Sequence, residues 1–273
     1  MTEIIASNIT KLFGREFAIR DINFNISSNN VAVLGTNGSG KTTLLSIIAG
    51  LSRPSNGTIK FNGFEPFKDR DHTSSLISHV FEKPSFPYNF RIDKFLDLLV
   101  NINSSISTSG TNELWNELDN IRNKKFTELS SGESQILYLA SALYSKSKIL
   151  VLDEPLNHLD MRRAGIVIDE LIHSRKELII TSHIPEEAEF LSDFMILLDH
   201  GKLVWSGYKK DLFLSDFFEV FCFRPIPQNL NILCSFGNIQ VVKSSDEALA
   251  KMVKDSQIIG YRKLGVRRKY AKI

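Results

Sequence analysis

The sequence predicts an α/β fold with a mostly parallel sheet, and three observations predict it. Near residue 30 a continuous apolar run, Val31-Ala32-Val33-Leu34, meets a glycine-rich turn and then a helix pattern that is apolar on one face. After residue 145 short apolar strands alternate with helical stretches, the order that lays a parallel sheet between helices. From about 90 to 145 the apolar period is helical, so a helical block separates the two halves of the pattern.

The elements follow in order. Glu3–Ala6, Ile22–Ile26 and Thr58–Asn62 read as strands set between turn residues. Thr42–Ala49 reads as a helix ended by Gly50. Phe95, Leu98, Leu99 and Ile102 mark one helix, and Leu114, Trp115, Leu118 and Ile121 a second. The serine-rich residues 103–111 between them read as a flexible loop. Strands at Ile149–Leu152, Leu178–Thr181 and Phe194–Leu198 alternate with helices over about 160–175 and 185–191. Farther on, Ile239–Val242 is strand-like, Ala248, Leu249, Met252 and Val253 mark an amphipathic helix, and Ile258-Ile259 reads as another strand. Residues 208–273 therefore form a small α/β extension with a basic tail. Its aromatic residues Phe213, Phe217, Phe218, Phe221 and Phe223 are expected to pack on the core.

Composition narrows the class. At 273 residues, with 42% hydrophobic and 23% charged side chains, the chain is globular, and disordered and fibrous classes drop out. No apolar run approaches the roughly 18 residues of a membrane span. The N-terminus shows no leader pattern, and Cys222 and Cys234 are too few for a zinc site or a disulfide framework. These features lead us to expect a soluble intracellular protein. The net charge of +2 points to no polyanion partner for the whole chain. Residues 208–273 nevertheless hold 12 basic and 6 acidic side chains, and 261–273 hold no acid. We read this tail as a solvated terminus, with an anionic headgroup or acidic partner surface as the alternative.

Two motifs carry chemistry. Gly35-Thr36-Asn37-Gly38-Ser39-Gly40-Lys41-Thr42 fits G-x-x-x-x-G-K-[ST] in full, between a buried strand and a helix. Its glycines let backbone N–H groups curl around phosphate oxygens, Lys41 supplies a point charge and Thr42 a hydroxyl for Mg²⁺. The motif resembles the loop of a P-loop NTPase core, the fold class expected here. The second motif is Ile149-Leu150-Val151-Leu152-Asp153-Glu154, which delivers two carboxylates at a strand's C-terminal end, where α/β sheets bind ligands. Asp153 suits Mg²⁺ through water, and Glu154 suits polarising an attacking water.

With these in place, residues 1–207 resemble the ATP-binding cassette of ABC transporters. Leu129-Ser130-Ser131-Gly132-Glu133 is similar to the family signature LSGGQ, and Ser130 with Glu133 also spells a capping box. Asn157-His158-Leu159-Asp160 resembles the D-loop, and Ile179-Ile180-Thr181-Ser182-His183 the switch-histidine segment. Lys11-Leu12-Phe13-Gly14 matches the segment whose aromatic ring stacks on adenine.

The resemblance implies an antiparallel β-subdomain and an inserted helical subdomain over about 83–135. It assigns ATP binding to Phe13, Gly35, Thr36, Asn37, Gly38, Ser39, Gly40, Lys41, Thr42 and Thr43. Catalysis falls to Glu154, His183 and Lys41, and Mg²⁺ to Thr42, Asp153 and Glu82. Ser130, Ser131, Gly132 and Glu133 would touch the ATP of the opposite subunit, and Asp160 would lie at the subunit contact.

Two departures stand out. The family's glutamine before the helical subdomain is replaced by Glu82, beside Lys83, and no glutamine at 135, 228, 240 or 257 can take its place by a register shift. The signature carries Ser131 for glycine and Glu133 for glutamine. With Lys41, Asp153, Glu154 and His183 all present, the expectation is altered rate, not lost function.

The expected activity is ATP hydrolysis with ATP and Mg²⁺, energising a membrane transporter by dimer closure and opening. The expected partners are a permease bound at the helical subdomain, where Phe86–Phe90 forms an aromatic loop, and a second cassette, a homodimer being favoured. The expected place is cytoplasmic, at the inner face of the membrane, with no nucleic acid bound. Alternatives are a soluble ABC ATPase acting on nucleic acid or ribosomes, and a weakly hydrolysing regulatory partner in a heterodimer.

Overall fold

The computed structural model describes residues 2–81, 90–102, 113–212, 216–222, 227–236 and 238–263. Glu82, Lys83, Phe86–Asn89, the loop 103–111, Phe213, Phe223 and the tail from Leu264 lie outside the described residues.

The chain opens with β1 (Thr2–Phe13) and β2 (Glu16–Ser28), then β3 (Asn30–Gly35), α1 (Lys41–Ile48), β4 (Asn56–Phe61), a helical turn α2 (Arg70–Thr73) and β5 (Ile77–Val80). The helical block follows as α3 (Ile92–Ile102), α4 (Glu113–Asn120), a 3₁₀ turn at Phe126–Glu128 and α5 (Ser131–Leu143). The alternating half comprises β6 (Ile149–Leu152), α6 (Met161–His173), β7 (Glu177–Ser182), α7 (Pro185–Leu191), β8 (Phe194–Asp199) and β9 (Lys202–Tyr208). Beyond it come α8 (Lys209–Leu212), β10 (Phe217–Phe221), β11 (Ile232–Phe236), β12 (Ile239–Lys243), α9 (Asp246–Lys254) and β13 (Gly260–Lys263).

Six strands form the central sheet in the order β5-β6-β7-β3-β8-β9, all parallel except the β8–β9 pair. Its strands are apolar without a break because both faces are covered. Along β3, Val31 and Val33 enter the cluster shared with α1 and β1–β2–β4, while Ala32 and Leu34 enter the cluster shared with α3–α6. β6 and β8 divide the same way, Ile149 and Val151 against Leu150 and Leu152, Phe194 and Ile196 against Met195 and Leu197. The second sheet, β2-β1-β4, is antiparallel, and its strand β2 alternates buried with exposed positions over most of its length. Among the described residues no helix is long and apolar enough to cross a membrane.

Residues 217–263 include an antiparallel sheet, β11-β12-β10-β13, with Leu249 and Met252 of α9 packed on one face against Phe218, Val220 and Val242. From the other face Val241 joins the main core, with Phe217 and Leu233 packed beside it. The Phe217 ring stands edge-on to Trp205 at 6.2 Å. Phe217 and Phe218 thus pack inward as expected, whereas Phe221 is half-buried. Ile258-Ile259 is not a strand, since β13 begins at Gly260. Ile258 is instead buried in the small cluster beneath α9, and Ile259 is exposed, with its N–H donated to the Phe221 carbonyl at 2.7 Å.

Candidate functional site

The register of the central sheet assembles the site. Leu34 of β3 lies beside Ser182 of β7, and Leu152 of β6 beside Ile180, so the loop after β3, the acids after β6 and His183 emerge at one edge. This is the carboxyl edge, where open α/β sheets place ligands.

Gly35 closes β3 and Lys41 opens α1, leaving Thr36–Gly40 to turn between them. Gly40 stands at φ 98, and a Cβ there would meet Ile19 Cγ2 at 2.5 Å and the Ala18 carbonyl at 2.6 Å. Only glycine fits both the angle and the space. Lys41 is buried and folds back, donating to the carbonyl oxygens of Gly35 at 2.9 Å and Thr36 at 3.1 Å. Its Nζ also lies 3.2 Å from Glu154 Oε1. Ser39 is buried with its Oγ unpaired, Thr42 is exposed and Thr43 is half-buried.

Asp153 holds the two halves together. Its Oδ2 accepts Thr42 Oγ1–H at 2.7 Å, its Oδ1 accepts Thr181 Oγ1–H, and its N–H donates to the Val80 carbonyl at 2.8 Å. Glu154 takes a left-handed backbone conformation, φ 45, with its N–H donated to Thr181 Oγ1 at 2.8 Å. Such a conformation costs on the order of 1 kcal/mol or more in a non-glycine residue and is characteristic of functional sites. It aims the carboxylate at Lys41 and at His183, whose Nδ1 is 3.1 Å from Oε2, while Asn157 donates to the same oxygen. Burial opposes ionisation of Glu154, but the charge and hydrogen bond of Lys41, with His183 and Asn157 adding to them, hold its pKa below the usual value.

Thr42 and Asp153 offer two hard oxygens 2.7 Å apart at the start of α1. Among the described residues no group of three His, Cys, Asp or Glu forms a closed metal site. The Thr42–Asp153 pair suits Mg²⁺, which takes one or two protein oxygens and completes its shell with phosphate and water. The buried, unpaired Ser39 hydroxyl and the curled loop suit phosphate oxygens.

The signature residues find partners elsewhere. Ser130 caps α5 by accepting the Glu133 N–H at 3.3 Å, and Glu133 Oε2 accepts the Ser130 N–H at 2.9 Å, so the capping box is formed. A Cβ on Gly132 would lie 2.9 Å from the His158 carbonyl, so the segments 130–133 and 157–160 approach backbone to backbone. Asp160 is exposed and caps α6 through the Arg163 N–H at 3.0 Å. Phe13 ends β1 with its ring 60% exposed and Lys11 Nζ 5.2 Å from the ring centre, so it is not core packing.

Sequence reading missed the pairs that fix these segments. Glu117 on α4 is 5% exposed and receives both Arg162 and Arg163, the latter at 2.8 Å. Burial opposes the Glu117 charge, but the two guanidinium groups hold its pKa below the usual range. Glu117→Ala should cost about 2 kcal/mol of stability at neutral pH, between an exposed and a fully buried pair. Because the folded value is depressed, this contribution is present above the ordinary carboxylate range and lost as pH falls through the folded value. Urea unfolding of parent and variant at neutral and acid pH checks both the size and the sign.

A buried parallel sheet, a strand-to-helix phosphate loop and an acid pair beside it define a nucleotide-binding α/β fold. Residues 19–157 match the ABC transporter family. The ABC transporter ATP-binding protein YybJ of Bacillus subtilis is 31% identical, across 77% of this chain and 100% of its own length. The bacitracin transport ATP-binding protein BcrA of Enterococcus faecalis is 30% identical over 74% of this chain and 68% of its own. A solved ATP-binding subunit of an ABC transporter superposes with a TM-score of 0.65 at 20% identity, covering 77% of this chain and 91% of its own. A dimeric ATP-binding cassette solved with ADP and Pi gives 0.61 at 23%, covering 76% and 98%. The chain belongs to the ABC transporter family, as an ATP-binding ATPase cassette.

Proposed function

We propose that the chain hydrolyses ATP to energise a membrane transporter, through closure and opening of paired cassettes. The observation that supports this best is the convergence of Lys41, Thr42, Asp153, Glu154 and His183 through contacts of 3.2 Å or less. In this reading residues 1–207 are the cassette and 208–273 an extension, with the helical subdomain facing a permease at the cytoplasmic side of the membrane.

The loop Gly35–Thr43 grips the triphosphate by its N–H groups, and Lys41 exchanges the Gly35 and Thr36 carbonyls for phosphate oxygens. Phe13 offers an exposed face to adenine. Glu154 takes the proton of the attacking water, and His183 orients that carboxylate and reaches the terminal phosphate. Thr42 and Asp153 would hold Mg²⁺, which supplies charge stabilisation of the phosphoryl oxygens. Ser130, Ser131, Gly132 and Glu133 cover the nucleotide of a second copy, with Asp160 at the contact between copies. The relatives are named for different cargoes, bacitracin transport in BcrA and spermidine/putrescine import in the Mycoplasma mycoides PotA, consistent with a cassette that leaves cargo choice to its permease.

The test is nucleotide titration of Lys41→Ala. Affinity for Mg–ATP should fall at least tenfold, the loss of roughly one charge-assisted contact. Unchanged affinity would remove the basis for this assignment.

A further inference from the structure

The signature of this chain ends in an acid, and an acid is a poor neighbour for a triphosphate. Glu133 is the third residue of α5, and its side chain is 15% exposed, so solvent screens it only in part. Lys124 meets it squarely, with Nζ 2.8 Å from Oε1 and 3.0 Å from Oε2. The Lys124 hydrogen bond, followed by that of the Ser130 N–H, holds the Glu133 pKa below the usual range.

The lysine is itself well placed. Its carbonyl accepts the Ile92 N–H at 3.1 Å, and Lys125 bridges Arg91 as a strand pair, tying this stretch to the start of α3. Ile92 is fully buried there. Nζ thus comes from an anchored backbone, nine residues before the acid that it holds.

We infer that Lys124 is a positioning residue for the nucleotide-covering segment: by holding both oxygens of Glu133, it lets an acidic signature meet a second copy's triphosphate as a charge-balanced helix start. The inference rests on the proposed reading in which Ser130–Glu133 cover that nucleotide. The N–H groups and dipole of α5 favour an anion, and a free carboxylate in its first turn would compete for them and repel it. With the ammonium in place, Glu133 keeps its capping bond to Ser130 and adds no net charge.

The experiment follows Mg–ATP-dependent self-association of the full chain by sedimentation, in a Glu154→Gln background that retains bound nucleotide. Lys124→Met should weaken association about tenfold, and adding Glu133→Gln should restore it to within about twofold. Raising salt should narrow the gap between Lys124→Met and parent, because screening relieves a charge and does not mend a packing defect. Nucleotide affinity of the dilute Lys124→Met chain should match the parent. Parental association in Lys124→Met, or a double variant as weak as the single, overturns the inference while the cassette reading stands. A parent that binds Mg–ATP without self-association also overturns it, and a parent without nucleotide affinity takes the cassette reading down as well.

Discussion

Glu154→Gln should reduce steady-state phosphate release about 1,000-fold while Mg–ATP binding survives. The amide keeps the size of the carboxylate and can still bond His183 and Asn157, so the left-handed turn at φ 45 is retained. What is lost is a proton acceptor, and positioned general bases contribute roughly 10²–10⁴-fold. The Lys41–Glu154 ion pair at 3.2 Å is lost too, which frees the ammonium for phosphate and keeps affinity from falling. Phosphate release and nucleotide binding measured side by side separate the two effects. Hydrolysis at the parental rate would sink the assignment of Glu154 as base.

Gly132→Ala should lower turnover about 100-fold at saturating ATP, although the added group is one methyl. That methyl would lie 2.9 Å from the His158 carbonyl, closer than backbone tolerates, so α5 or the 157–160 segment must move. Glu117 and its two arginines hold the start of α6, and Lys124 holds the start of α5, so neither side yields freely. A displacement near 1 Å in a reacting assembly costs on the order of 10²-fold. Overpacking costs about 1–3 kcal/mol of stability as well, so thermal unfolding should be recorded beside kinetics. A variant with parental turnover would show that this contact does not set the signature's position.

These expectations depend on features of unequal legibility. The central strands could be read because burial on both faces strips them of polar residues, as in Val31–Leu34 and Ile149–Leu152. The phosphate loop could be read because its chemistry is local, eight consecutive residues serving one purpose. β9 escaped because every residue after its exposed first lysine is half-buried, which gives neither a run nor an alternation. Ile258-Ile259 misled because two adjacent isoleucines suggest a strand, whereas one fills a gap under α9 and the other faces water. Glu117 with Arg162 and Arg163 lies beyond local reading, since about 45 residues separate partners that only tertiary packing joins. Thr181 was the reverse case. A hydroxyl just after the apolar run Leu178–Ile180 needs a partner, and it has Asp153 and the Glu154 N–H.

The C-terminal sheet is tied to the helix that follows His183. Arg262 of β13 binds the buried Glu219 of β10 and also Glu186 of α7, at 3.1 Å, three residues past His183. Ile239 of the same sheet lines a cavity of about 560 Å³ together with Thr36, Asn37, His183 and Pro185. In the proposed cassette, a movement of α7 behind His183 would therefore reach a slab four strands wide through the Arg262–Glu186 pair.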